Sequence, residues 1–312
     1  MDCKHIYAVK LSLALKTKIN RDLLDFEPSV VHACKYCGGK VVKDGLNGKK
    51  QQYECKECGK KQFLIESGFR GMRFEPEIIA TGLDLYFKGI SIRKIADHLL
   101  LTNGLAVNFA TVYRWITKYV KLISRYVDAL EPELSGKWHV DEMKIRVRNG
   151  DKDGYQWLWN VIDRETRFQL VSMVSKARAV SDARRAFAKA KEVAKARPAT
   201  VTTDGLQSYG IAFKKEFYTM KGPRTEWVRS AGIRHARTNN NLVERLNGTV
   251  RERNKVQRGW KNAETPLAEG QRIYYDFLRP HQALEGKTPA QEAGIGLERR
   301  SWISLIKTSA KE

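Results

Sequence analysis

Lys137-Trp138-His139-Val140-Asp141-Glu142-Met143-Lys144-Ile145-Arg146-Val147 alternates with the two-residue period of a β-strand. Asp141 is in phase with Met143, Ile145 and Val147, so the pattern turns it toward an apolar face. A carboxylate there is costly unless it is paired or holds a cation. Glu142 is in antiphase and is expected to face away. Gly150–Gly154 reads as a turn, Tyr155–Asp163 as a second strand and Arg167–Ser175 as a third, with Asp163 as a hairpin-turn residue. Ser181–Ala196 reads as a helix, and Ala199–Thr203 as a fourth strand running into Asp204-Gly205, a second acid at a strand end. In Asn239–Arg251, Val243, Leu246 and Val250 form a buried helical stripe, while Glu244, Asn247, Gly248, Arg251 and Lys255 share another face.

The chain has 312 residues, enough for about two domains of ~150 residues. Lys and Arg number 57 against 35 Asp and Glu, a formal charge of +22, and 42% of residues are hydrophobic. This is the balance of a globular protein with an acidic partner, most commonly nucleic acid. No apolar run reaches the ~18 residues of a membrane span. The lysine-broken N-terminus lacks the pattern of a signal peptide, so the expected location is the cytoplasm. The stretch Glu131–Gly136 reads as a linker. The expected organisation is a basic arm over 1–29, a cysteine module over 30–68, helices over 70–130, an α/β core over 137–296 and a tail over 297–312.

Cys34-Lys35-Tyr36-Cys37-Gly38 and Cys55-Lys56-Glu57-Cys58-Gly59 are two Cys-x-x-Cys pairs; Cys3 stands alone. A two-residue gap lets both thiolates of a pair face one tetrahedral ion at ~2.3 Å. The glycine after each pair permits the turn around it. Val41-Val42 and Gln51–Tyr53 read as short strands, with Asp44-Gly45 and Asn47-Gly48 as turns. The spacing points to one structural Zn²⁺ bound by Cys34, Cys37, Cys55 and Cys58. Four cysteines leave the ion no open position for catalysis. Lys35, Lys40, Lys49, Lys50, Lys56, Lys60 and Lys61 around it suit DNA phosphate or a solvated face about equally.

Ser91 is a good N-cap for a helix with apolar residues at 92, 95, 96 and 99. A second helix carries apolar residues at 112, 115, 116, 119, 120 and 123 and turns Thr111, Tyr113 and Arg114 outward. The pair resembles a helix-turn-helix whose second helix enters the major groove. Leu101–Asn108 makes the connection longer than the usual ~3–4 residues, and a purely structural helical hairpin is the plainer alternative. Arg93, Lys94, Arg114 and Lys118 are the candidate DNA contacts.

The order from Lys137 onward resembles the ribonuclease-H-like fold of DDE transposases and retroviral integrases. Tyr275-Asp276-Phe277-Leu278-Arg279-Pro280-His281-Gln282-Ala283-Leu284 and Lys287-Thr288-Pro289-Ala290 resemble the closing segment of prokaryotic DDE enzymes. With the cysteine module and helices ahead of it, the layout resembles an insertion-sequence transposase, nearest the cointegrate-forming prokaryotic and archaeal families. The resemblance implies a mixed-sheet core in which the first and fourth strands are neighbours. It also implies a catalytic triad of Asp141, Asp204 and Glu244 holding two Mg²⁺ or Mn²⁺ ions, and a basic residue, Arg251, seven positions after the glutamate. The 39 residues between Asp204 and Glu244 exceed the common family spacing, with the excess expected near Gly222-Pro223 and Glu252 as the fallback acid. The implied activity is 3′-end cleavage and strand transfer on double-stranded DNA, both terminal repeats and target, by a homo-oligomer.

Each acid alone has a structural explanation: a turn at Asp204-Gly205, a buried ion pair at Asp141, a surface helix position at Glu244. His139, His235 and Trp260 are better explained by packing than by catalysis or base stacking. The basic runs 176–197 and 229–261 contain further candidate phosphate contacts, Arg245, Arg251 and Lys255. Two rival readings are a DNA-binding regulator on an inactive core and a stand-alone nuclease that cuts without joining.

Overall fold

β4 (Lys137–Arg146) and β5 (Tyr155–Asp163) pair antiparallel along their whole length, from Trp138 opposite Asp163 to Arg146 opposite Tyr155. Both are apolar on two faces: Trp138, Val140, Met143 and Ile145 on β4 are buried, as are Leu158, Trp159, Val161 and Ile162 on β5. That pattern requires cover on both sides of the sheet. β6 (Gln169–Ser175) adds antiparallel to β5. The chain then crosses through α4 (Val180–Ala194) to β7 (Thr200–Thr203), which pairs parallel with β4, and through α5 (Gln207–Phe217) to β8 (Glu226–Arg229), parallel with β7. The sheet order is β6-β5-β4-β7-β8.

The computed structural model describes residues 34, 36–47, 50–63, 68–148, 154–220, 222–230, 240–263, 265–297 and 299–311. The arm over 1–29, Cys3, Lys35, Lys49, the turns expected at Asn47-Gly48 and Gly150, and His235 with its neighbours in 231–239 lie outside the described residues. The chain divides into two compact units, Met1–Ile65 and Glu66–Glu312.

In the first unit, β1 (Val41–Asn47), β2 (Lys50–Cys55) and β3 (Lys61–Phe63) form an antiparallel sheet. The β1–β2 connection lies after Asn47. Asp44-Gly45, expected as a turn, is instead a bulge inside β1, where Gly45 takes a φ of 73° and the register shifts.

In the second unit, α1 (Pro76–Phe87), α2 (Ile92–Asn103) and α3 (Phe109–Asp128) precede the sheet. Ser91 caps α2 by accepting from the Lys94 N–H, and Asn108 caps α3 by accepting from that of Ala110. α2 runs on to Asn103, so the connection to α3 is shorter than the pattern indicated. The apolar stripe of α3 from Val112 to Ile123 is buried, and Tyr113 and Arg114 are exposed.

These helices pack directly on the last part of the chain. Phe87 stacks on Trp302 of α9 (Trp302–Ser309), with ring centroids 5.2 Å apart. A Cβ on Gly270 of α7 (Pro266–Ile273) would sit 2.3 Å from the Phe87 ring, so glycine is what permits this approach. Buried Arg272 of α7 bridges to Asp128 at the end of α3 at 2.6 Å and to Glu269 at 2.8 Å. The stretch expected as a linker is stitched in: Glu133 N–H donates to the Ala293 carbonyl, and Ser135 Oγ to Asp163.

One face of the sheet is covered by α4 and α5, where Phe187 meets Phe217 edge-on and Tyr209 at a tilt, and Phe217 and Tyr209 meet Trp138 and Trp159 edge-on. α6 (Asn241–Val256) lies against β4 and β5, burying Val243, Leu246 and Val250 as its spacing requires. α4 stops earlier than the sequence indicated because Lys195 adopts a left-handed φ of 48°. β8 has no counterpart in the sequence reading, which passed from the fourth strand straight to helices.

Asp163 does more than turn a hairpin. Fully buried, it accepts from Ser135 Oγ at 2.9 Å and from the N–H and hydroxyl of Thr166 at 3.2 and 2.9 Å. Asp163→Ala orphans these donors and is expected to cost about 3 kcal/mol in urea unfolding; a loss below about 1 kcal/mol would contradict this account.

Candidate active site and metal centre

β7 accompanies β4 only as far as His139 opposite Thr202. Continuing that register by two residues places Asp141 opposite Asp204, the first residue beyond β7. The two acids thus meet where the parallel pairing ends and the sheet edge opens. Carboxylate oxygens of Asp141, Glu142 and Asp204 lie within 4.8 Å of one another.

Burial pushes the Asp141 carboxyl up to about 7, and the neighbouring carboxylates of Glu142 and Asp204 push the same way. Opposing them, Asn247 Nδ2 donates to Asp141 Oδ2 at 2.7 Å. Asn247 is itself oriented by a buried chain of carboxamides. Asn160 Nδ2 donates to Asn247 Oδ1 at 2.6 Å, Gln169 Nε2 donates to Asn160 Oδ1 at 2.8 Å, and the Gln169 N–H donates to buried Asp276 at 2.9 Å. The three amides run head to tail with their NH₂ ends toward Asp141. Asn240, at the start of α6, donates to the Val140 carbonyl and bonds the His139 ring at 3.0 Å. His139 is therefore a packing residue, and burial lowers its pKa.

Glu142 corrects the sequence reading. It does point to the opposite face, where the Tyr209 hydroxyl donates to it, but its carboxylate also joins the acid group. The physical reason is the missing neighbour: with β7 ended, side chains from both faces of β4 reach around the open edge. Arg178 Nε donates to Glu142 Oε1 at 2.6 Å, lies 3.8 Å from Asp204 and stacks on Trp157. Burial raises the Glu142 pKa, while Tyr209 and Arg178 pull it back. Asp204 turns one oxygen to the Leu206 N–H at 2.9 Å.

Glu244 is not among the gathered acids. It is exposed in the first turn of α6, on the ridge between Asn240, which holds Val140, and Asn247, which holds Asp141. Glu252, the fallback, is exposed two turns further along. Arg93, Lys94, Arg114, Lys118, Arg245, Arg251 and Lys255 are all exposed. Trp260 is buried and donates to Gln257, so it packs and does not stack on a base. The sequence reading missed Asn160, Gln169, Arg178 and Tyr209. The signal available for the first two was a polar residue inside an otherwise apolar strand.

In the first unit the sulfurs of Cys34 and Cys58 lie 3.6 Å apart and those of Cys37 and Cys55 3.5 Å, with all four within 4.8 Å. A tetrahedral ion with ~2.3 Å sulfur bonds requires nearly this separation. Burial opposes ionisation of Cys34, but the N–H groups of Tyr36 and Cys37 bring it down to about 6. The Gly39 N–H pulls Cys37 down, yet the crowded neighbouring thiols raise it to about 12. Thiols that resist ionising together are a donor set that fits a cation. Gly38 and Gly59, at φ 78° and 66°, make the turns. Lys61 is paired with Asp44 at 2.8 Å and Lys60 lies over the Tyr36 ring, while Lys40 and Lys56 are exposed.

A five-stranded mixed sheet with acids at the open end of its central parallel pair, flanked by helices, is a ribonuclease-H-like catalytic core. Residues 135–270 match the DDE domain of IS240-type transposases. The transposase for insertion sequence element IS257 in transposon Tn4003 of Staphylococcus aureus is 25% identical over 234 residues, 73% of this chain and 98% of its own length. Transposases for the insertion sequence-like element IS431mec in S. aureus strains Mu50 and N315 align over the same length with the same identity. Among solved structures, the HTLV-2 integrase catalytic core domain in complex with magnesium aligns over 53% of this chain and 98% of its own, with 16% identity and a TM-score of 0.35. The simian T-cell lymphotropic virus intasome in complex with PP2A regulatory subunit B56 gamma aligns over 70% and 77%, with 14% identity and a TM-score of 0.38. The core thus matches the DDE domain of insertion-sequence transposases, and along most of its length the chain is similar to transposition enzymes of that kind.

The raised Asp141 pKa predicts a pH dependence. The unfolded carboxyl releases its proton near 3.8 and the folded one near 7, so between those values the folded state holds more protons. The stability this group contributes is complete below 3.8 and is lost as pH rises toward 7. Without added divalent cation, Asp141→Asn is expected to melt at a higher temperature than wild type at pH 8, with the difference shrinking at pH 5. Mg²⁺ is expected to raise the wild-type melting temperature and not the variant's. Equal melting of the two proteins at both pH values would contradict the burial argument.

Proposed function

We propose that Asp141, Asp204 and Glu244 hold two Mg²⁺ or Mn²⁺ ions, and that the protein cuts DNA at the 3′ ends of its element and joins those ends to target DNA. The observation that carries this is the β4–β7 register, which sets partly buried Asp141 beside the more exposed Asp204 in a cluster of acids. Hard oxygen donors that burial resists ionising suit a hard dication. Bound there, the cations would activate the attacking oxygen and stabilise the leaving one. Asn247 keeps one Asp141 oxygen engaged and so fixes the orientation of the carboxylate. Glu142, already held by Tyr209 and Arg178, positions Arg178 beside Asp204. Glu244, exposed one turn from Asn247, would turn inward to complete the set. Water attacks the phosphodiester at the element end, whose bond to the element's 3′ oxygen breaks to give a 3′-OH and leave the 5′-phosphate on the flanking strand; that hydroxyl then attacks a target phosphodiester at the same site, and the target's own 3′ oxygen leaves as the new bond forms.

Zn²⁺ on the four cysteines is structural, since it leaves no open position. DNA contact by Arg93, Lys94, Arg114 and Lys118 on the helical domain, and by Arg245, Arg251 and Lys255 on α6, follows from their exposure and charge. The domain boundaries remain those given by sequence: arm 1–29, zinc ribbon 30–68, helix-turn-helix 70–130, catalytic core 137–296 and tail 297–312. Pairing two element ends calls for a homo-oligomer, working on the nucleoid of a prokaryotic cytoplasm. No helix among the described residues is long and apolar enough to cross a membrane.

The test is a strand-transfer assay with a labelled duplex ending in the terminal repeat, a target plasmid and Mg²⁺ or Mn²⁺. Asp204→Asn and Glu244→Gln are each expected to lose at least ~10²-fold of the joined product. Cutting without joining would indicate a nuclease, and binding with neither reaction a regulator on an inactive core. Metal analysis is expected to find one Zn²⁺ per chain in the wild type and none in Cys55→Ser, whose ribbon loses its fold. Full zinc occupancy in that variant would overturn the four-cysteine assignment.

A further inference from the structure

A concavity of about 930 Å³ opens beside the C-terminal half of α6, and every charged side chain lining it is Lys or Arg. Lys144, Arg146 and Arg148 come from β4 and its continuation; Arg251, Lys255 and Arg258 come from α6 and the turn after it. A second concavity of about 690 Å³ shares Arg148 and Arg258 with the first and extends to Arg93 and Lys94 at the start of α2. It too is lined by no acid. The two form one trough from the helical segment to the sheet.

The local backbone holds the shared arginines together. Trp260 N–H donates to the Arg146 carbonyl at 2.8 Å, and Arg148 N–H donates to that of Trp260 at 2.7 Å, so the turn after α6 is stitched to the end of β4. Arg258 takes a left-handed φ of 56°, a conformation unfavourable for a side chain of its kind. Arg148 Nε donates to the Arg258 carbonyl at 3.4 Å. All of these cations are exposed. Gathering like charges without acids disfavours the fold unless a polyanion lies among them.

We infer that this trough seats a single DNA duplex by its phosphates, with Arg148 and Arg258 as the central clamp between the helical segment and the catalytic core of the same chain. The inference rests on the proposed DNA-joining function and adds Lys144, Arg146, Arg148 and Arg258 to the contacts. Arg251 is one turn beyond Asn247, which touches Asp141, so a duplex in the trough ends beside the acids. The phosphate lattice is sequence-independent, so the trough grips terminal-repeat and unrelated DNA alike.

The experiment measures fluorescence anisotropy of full-length protein, zinc included and without added Mg²⁺ or Mn²⁺, on a labelled duplex over a range of NaCl. Each phosphate contact contributes about −0.9 to the log–log salt slope. The double variant R148Q/R258Q is expected to flatten the slope by about 2 and weaken binding on both terminal-repeat and random duplex. R251Q/K255Q, on an exposed helix face, is expected to do the same and guards against misfolding in the first variant. K214Q/K215Q, on α5, is expected to leave the slope unchanged. One duplex per chain is expected at saturation. An unchanged slope in both trough variants, or two duplexes per chain, would overturn the inference. Because binding is read without the catalytic cation, failure here leaves the strand-transfer result standing, and failure of strand transfer leaves this one standing.

Discussion

The short parallel pairing of β4 with β7 is the constraint on which the site depends. It runs from Lys137 opposite Thr200 to His139 opposite Thr202 and then stops. Had it continued, Asp141 and Asp204 would be enclosed by neighbouring strands; had it ended earlier, they would not be held side by side. Its length is set by β7, a four-residue strand between the end of α4 and the Asp204 turn. The α4–α5 aromatic cluster packs under Trp138 and Trp159 beside this pairing, and at its open edge the partly buried Asp141 carboxylate is held next to the more exposed Asp204. The cost of that arrangement is what a divalent cation would relieve.

The carboxamide chain shows how the other face of the sheet supports the same point. Asn160 and Gln169 occupy strand positions where apolar residues would pack as well, and both are buried. Each amide satisfies its neighbour, so the row meets the requirement for buried polar groups while fixing one orientation of Asn247. Removing one member would leave the next unpaired, which makes the row an all-or-none support for Asp141.

Much of this was legible in the chain itself. Asp141 stood out because strand alternation turns it toward an apolar face where burial penalises an acid, and Asp204 because it is an acid at a strand end. The α6 stripe and the helix caps at Ser91 and Asn108 are local signals, and local signals survive folding. β8 was not legible: Glu226-Trp227-Val228-Arg229 is too short for a period to emerge, and its strand character comes from pairing with β7. Glu142 was misjudged because alternation assumes a neighbour on both edges, which β4 lacks beyond His139. The trough was invisible to counts of charge along the chain, since its cations come from α2, from β4 and its continuation, and from α6 and the turn after it.

The central claim is that Asp141 and Asp204 are the core of a cation site completed by Glu244 and not by Glu142. Crystals of the protein bound to a terminal-repeat duplex with Mn²⁺, measured for anomalous scattering, test it directly. The account predicts manganese density between the carboxylates of Asp141 and Asp204 with Glu244 turned in to it and Glu142 still held by Arg178 and Tyr209. Manganese bound by Asp141, Glu142 and Asp204 with Glu244 in solvent, or density away from these acids, would contradict it.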